Sequence, residues 1–173
     1  SNRAIKSFID KLYFIQISIY LFIGVLSIST LNAAHPTIYN YVLLIQHLII
    51  YSLAIHLLIN KFSKVEYVFL ALFVIVGLYT YYTLRMPELL FYTIIFFSSK
   101  EKKNTDVIKV SLLSASFGFL CVFMLMKLNF IQNWTIIKGG HTSLIQTLVF
   151  RHSHFAGILL FWISCLYSMY RKD

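Results

Sequence analysis

Acidic side chains are scarce in this chain: Asp and Glu together number six in 173 residues, against fifteen Lys and Arg. Charged residues of both signs make up only 12%, about half the usual ~25% of a soluble domain. A fold with 59% hydrophobic residues could not hide that much apolar surface from water. Cysteine is nearly absent too. The two present, Cys121 and Cys165, lie inside apolar runs, which reads as small hydrophobes and argues against a disulfide or a metal pair. No Gly- or Pro-rich linker, low-complexity tract or internal repeat divides the chain.

What remains is a series of apolar runs separated by short basic clusters. Crossing a hydrocarbon core of about 30 Å takes roughly 20 apolar residues, so this length holds about six spans and no sizeable soluble domain. The runs predict helices over Leu12–Leu31, Tyr41–Leu58, Tyr67–Leu84, Leu89–Ser99, Val107–Met126 and Phe155–Tyr170. The fold expected is therefore all-α, a polytopic integral membrane bundle of six transmembrane helices forming one domain over residues 1–173. The chain opens on Ser1, and Arg3, Lys6 and Lys11 lead into a run with no small-residue cleavage site. This reads as a retained first helix belonging to a fragment or a processed chain.

The fourth segment is the difficult one. Pro87 to Ser99 covers about 20 Å at roughly 1.5 Å per residue, short of a full span. It must borrow length by snorkelling of Lys100–Lys103, thin the bilayer, or be re-entrant. Positive charge arbitrates, because cytoplasmic loops are enriched in Lys and Arg. If the segment crosses, eleven basic residues share one side: Arg3, Lys6, Lys11, Lys61, Lys64, Lys100, Lys102, Lys103, Lys109, Arg171 and Lys172. The other side keeps four, Arg85, Lys127, Lys138 and Arg151. Both termini are then cytoplasmic, and the basic charge serves topology rather than nucleic-acid binding.

That topology leaves Glu88 as the only external or intramembrane carboxylate. It excludes a paired-carboxylate hydrolase and a metal-dependent transferase on the outer face, and gives no support to proton transport through buried acids. The external segments are Asn32–Asn40, the turn Arg85–Glu88, and Lys127–His154, of which only the last is large enough for chemistry. Its apolar middle, Thr142–Phe150, is too short to span and reads as an interfacial or re-entrant helix.

The densest polar constellation is Arg151-His152-Ser153-His154. An Arg fork at a membrane surface suits a phosphate or diphosphate, and a neighbouring His can accept a proton near neutral pH. The same residues also suit a headgroup anchor with wetted histidines. The spacing of His141, His152 and His154 matches no zinc pattern, so neither metal nor cofactor is expected. Within the membrane, Gln16 lies on the first helix and Gln46, His47 and His56 on the second. The two histidines are nine residues apart and so on opposite sides of a helix. They read as mainly structural, with the deeper pair, Gln46 and His47, facing the bundle. Ser111, Ser114, Ser116 and Gly118 form a small-residue patch suited to close helix packing.

The layout is similar to the N-terminal part of bacterial polysaccharide polymerases of the O-antigen polymerase and ligase type. The resemblance rests on the basic start, the loop Asn60-Lys61-Phe62-Ser63-Lys64, and the short fourth helix ending in Lys100-Glu101-Lys102-Lys103. It rests also on the fifth helix opening Val107-Ile108-Lys109-Val110, and on the external segment ending Arg151-His152-Ser153-His154-Phe155. It covers most of this chain and only part of such a protein. It implies a metal-independent glycosyltransferase of the bacterial cytoplasmic membrane, acting on surface polysaccharide carried by undecaprenyl diphosphate at the outer face. Its partners would be the lipid-linked oligosaccharide, membrane lipids and other assembly proteins, with no nucleic acid. By resemblance Arg151 matches the Arg opening the external motif, Ser153 the following Ser, and His154 the His at the start of the next helix. Relatives carry Gly between that Ser and His; here Ser153 runs directly into His154, which keeps His152 as the alternative proton acceptor. Ser153, Lys138 and His141 complete the candidate substrate-binding set. The other reading from the residues is a non-enzymatic transport, binding or accessory protein of the membrane.

Overall fold

A computed structural model describes residues 2–131, 135–137, 144–146, 161–167 and 169. In chain order the elements are α1 (Asn2–Ser27), α2 (Leu31–Ala34), α3 (Pro36–Ile59), α4 (Lys64–Leu84), α5 (Glu88–Ser98), α6 (Asn104–Lys127), β1 (Thr135–Ile137) and β2 (Leu144–Gln146). Residues 161–167 are also helical. The described chain is thus helical apart from one small antiparallel ladder. Four helices, α1, α3, α4 and α6, are long and apolar enough to cross a membrane.

Burial runs opposite to that of a water-soluble protein. Large apolar side chains face outward all along the helices, among them Leu58 at 88% exposure, Phe96 at 72% and Val68 at 68%. The polar side chains of Ser29, Thr30, His56, Asn60, Thr93, Ser98 and Ser114 are buried. Lipid reverses the preference that water imposes: apolar groups lose nothing outside, whereas polar groups need partners inside. The protein is built for a membrane.

Local sequence sets the helix ends. At the start of α4, the Ser63 hydroxyl accepts from the Glu66 N–H, and the Glu66 carboxylate accepts from the Ser63 N–H at 2.7 Å, a complete capping box. Helix α4 ends at Arg85, whose left-handed backbone (φ 56°) breaks the helix while the Met86 N–H bonds back to Thr80 O. Pro36 opens α3, a position where its missing N–H is harmless.

Contacts divide the chain into two compact units: residues 1–17 with 48–103, and residues 18–47 with 104–173. In the first, α4 packs on α5. A Cβ placed on Gly77 would lie only 3.0 Å from Leu90 Cα, so this crossing depends on glycine. In the second, Ser114, Ala115, Gly118 and Val122 form the buried face of α6. The Ser18 and Ser114 hydroxyls meet at 2.5 Å, and a Cβ on Gly118 would come within 3.0 Å of Val25 Cβ. Residue 18 meets 114 and residue 25 meets 118, so α1 and α6 run parallel. Here the small-residue patch packs as expected. Val25, Leu31, Val122 and Ile131 close an apolar cluster, and His35 stacks on Phe130 while its Nε2 donates to Phe130 O at 2.8 Å.

Three expectations need correction. Helix α1 begins ten residues before Leu12 and ends at Ser27, because its charged first turns are stabilised by distant partners, described below. Helix α3 begins at Pro36, five residues before Tyr41. The apolar stretch Thr142–Phe150 does not read as a helix over its described part: Leu144–Gln146 pairs with Thr135–Ile137 in the register Thr135↔Gln146, Ile136↔Ile145, Ile137↔Leu144. Pairing meets the backbone hydrogen-bond demand of two short β-branched and apolar runs that three residues of helix could not.

Candidate functional site

The candidate residues chosen from sequence, Arg151, His152, Ser153 and His154, with Lys138 and His141, lie outside the described residues. Lys138 and His141 belong to the connection 138–143 between β1 and β2.

The first unit holds the polar chemistry that the structure does describe. It begins at the loops. Asn60, 5% exposed, donates through Nδ2 to Phe97 O at 3.1 Å and Ser98 O at 3.0 Å, supplying two of the carbonyls that α5 leaves open at its C-terminus. The Lys61 N–H donates to Glu101 Oε1 at 3.0 Å, and Lys6 reaches the other oxygen of the same carboxylate at 3.5 Å. Lys100 donates to Lys61 O at 2.7 Å, pairs with Glu66, and lies over the Phe62 ring at 5.0 Å. Lys102, its side chain only 4% exposed, pairs with Asp10 and lies 5.4 Å over the ring of Tyr13. The start of α1, the α3–α4 loop and the α5–α6 loop therefore meet in one charged layer. Glu101 is held below the usual carboxylate range chiefly by the Lys61 backbone N–H, with burial opposing and Lys6 assisting.

Next to this layer is a buried polar chain. Tyr13 and His56, exposed 0% and 2%, meet edge-on with ring centroids 5.4 Å apart. His56 Nε2 lies 2.8 Å from Gln16 Oε1; Gln16 Nε2 donates to Ser52 Oγ at 2.9 Å, and Ser52 Oγ donates to Ile49 O at 2.7 Å. The Tyr13 phenol is buried beside the Ser98 and Ser99 side chains without a well-formed hydrogen bond.

The expectation that Gln46 and His47 are the bundle-facing pair holds for Gln46, whose amide lies against Gly24 of α1, but it passed over His56. Among the described residues His56 is the fully buried histidine, whereas His47 and Gln46 are half-buried, and a His47 ring nitrogen binds Leu43 O on its own helix at 2.7 Å. Depth along the sequence did not find His56. The useful signal was chemical: Gln16 on one helix and His56 on another, each needing a partner in lipid.

Among the described residues no group of three or more His, Cys, Asp or Glu could hold a metal ion. Cys121 and Cys165 are free and half-buried. The chain matches no protein-family model, no curated protein and no solved structure.

Proposed function

We propose that this is a six-span protein of the bacterial cytoplasmic membrane, both termini inside, that polymerises or transfers surface polysaccharide repeat units from an undecaprenyl diphosphate carrier at the outer face. One observation carries the reading: Lys6, Lys61, Lys100 and Lys102 share a single layer of the first unit, bound through Glu101, Glu66 and Asp10. Two loops separated by the α4–α5 pair return to the same end. This supports a fourth segment that brings the chain back to the lysine-rich, cytoplasmic side. With α6 long enough to cross, segment 128–154 and its Arg151 then belong to the outer face.

The chemistry follows from that location. An acceptor hydroxyl attacks the anomeric carbon, the bond from that carbon to the diphosphate oxygen breaks, and the diphosphate leaves with the electron pair on its lipid carrier. Arg151 stabilises the charge that grows on it, and His154, or His152, takes the hydroxyl proton. Ser153, Lys138 and His141 hold the sugar and phosphate groups. The test is Arg151→Lys in the producing cell. Charge is kept and the bidentate fork lost, so long-chain polymer should disappear while membrane insertion stays normal; long-chain polymer at wild-type length refutes the role.

A second reading, binding or transport without catalysis, is favoured by the buried Gln16–Ser52–His56 chain. It expects His56→Leu to impair flux and Arg151 variants to be tolerated.

A further inference from the structure

The buried chain at Gln16 fixes a protonation state. A serine hydroxyl has one proton, and Ser52 gives it to Ile49 O. Its oxygen must therefore accept from Gln16, which turns the amide NH2 toward Ser52 and the amide oxygen toward His56. An amide oxygen only accepts, so His56 Nε2 carries the proton and donates. Neutral imidazole has one N–H. Nδ1 is left as a bare lone pair, buried and without a partner.

Such an atom is costly to leave alone, at about 1–3 kcal/mol for an unsatisfied buried group. A second proton on Nδ1 is a poor remedy. It would put a second cation beside the Lys102 ammonium, which lies over the Tyr13 ring that packs against His56, with Asp10 already committed to Lys102. The charged and titratable groups around the imidazole are Asp10 and Tyr13 from α1 and Lys102 from the α5–α6 loop. A neutral donor answers the lone pair without adding charge.

We infer that the Tyr13–Gln16–Ser52–His56 group is a binding site for one neutral O–H donor, which hydrogen-bonds to His56 Nδ1. The donor is either an enclosed water or the hydroxyl of a bound polyol or sugar; the recognition chemistry is the same. The site does not depend on the outer-face chemistry proposed above.

The experiment is nitrogen-15 NMR of the histidine-labelled full chain in phospholipid bilayers at neutral pH, with the His56 signal identified by its loss in His56→Gln. The expected signal is a single neutral tautomer, protonated at Nε2, with a hydrogen-bonded Nδ1. Magnetisation transfer to Nδ1 from water, abolished in deuterated water, identifies an internal water. Transfer that survives deuteration and comes from carbon-bound protons of a retained glycan or polyol identifies a hydroxyl ligand. A protonated Nδ1, or a lone pair with no hydrogen bond, overturns the inference. Ser52→Ala checks the relay separately. Freed from Ser52, the Gln16 amide can turn over, and the single tautomer should become a mixture of the two; an unchanged single tautomer refutes the derivation of the bare Nδ1.

Discussion

Replacing Asn60 should loosen α5 more than any other single change in the charged layer. Its amide donates to two carbonyls of the last α5 turn, Phe97 O and Ser98 O, and Asn60 and the Ser98 side chain are both buried. Hydrogen bonds between membrane helices average about 0.6 kcal/mol each, so Asn60→Ala forfeits about 1.2 kcal/mol directly. It also strands carbonyl oxygen away from water, at about 1–3 kcal/mol. The Lys100 N–H lies at 3.5 Å from Phe97 O and gives only marginal relief. The total is about 2–4 kcal/mol. Asn60→Asp should be worse, because it aims carboxylate oxygens at the same carbonyls. Reversible unfolding of the purified protein in mixed micelles measures the global effect. Amide exchange measures the local one, and α5 amides that open with this turn should exchange roughly 30- to 700-fold faster, at tenfold per ~1.4 kcal/mol. An unfolding midpoint shifted by less than about 0.5 kcal/mol, with α5 exchange unchanged, would show that the amide does not hold this helix end.

Gly77→Ala should destabilise the α4–α5 pair by about 1–3 kcal/mol in the same unfolding assay, since the new methyl meets the Leu90 backbone at 3.0 Å and backbone cannot swing aside. The carboxylate of Glu101, held below its ordinary value of 4.5, contributes stability that is present above that value and lost as pH falls through the lowered one. Melting midpoints should therefore hold from neutral pH down to about the ordinary carboxylate range and drop below it, and Glu101→Gln should flatten part of that drop; an identical acid profile in the variant counts against the pairing. In a background with Cys121 and Cys165 replaced by Ser, Lys103→Cys should react with a membrane-impermeant thiol reagent only from the cytoplasmic side and Met86→Cys only from the outside. Labelling of both from one side would remove the fourth crossing.

The four long helices were legible in the sequence because each is a run of apolar residues long enough for lipid. Their ends were not. Helix α1 continues back through Lys6, Asp10 and Lys11 because Glu101 and Lys102, some ninety residues later, supply partners that no local pattern announces. The two histidines of α3 do fall on different faces, as nine residues of helix require, but which face is buried was decided by Gln16 on α1. The ladder of β1 and β2 escaped notice because three-residue strands are too short to show a period of two, and each needs the other to satisfy its backbone. The lysines counted on one side include Lys6, Lys61, Lys100 and Lys102, which the structure gathers in one layer of the first unit.

Helix α5 shows how a segment too short to span can still return the chain. Its eleven residues measure about 16 Å and the 21 of α4 about 32 Å, yet Lys100 beyond the end of α5 reaches Glu66 at the start of α4. About half of the difference is taken up at the turn and the rest at the opposite end, where Lys100 reaches across. Leu90 lies against Gly77, which is seven residues, or about 10 Å, before α4 ends. The last turn and a half of α4 therefore projects past the beginning of α5, and Arg85–Pro87 leads back along it. If α4 crosses the bilayer along its length, α5 starts about 7–8 Å below the level where α4 finishes. Non-helical backbone at that depth needs water or protein partners, and on the six-span reading the exposed Arg85 and Glu88 at the turn would draw the headgroup layer inward. On the six-span reading proposed above, local thinning at this hairpin, together with the reach of Lys100 at the opposite end, would let the short segment complete the crossing.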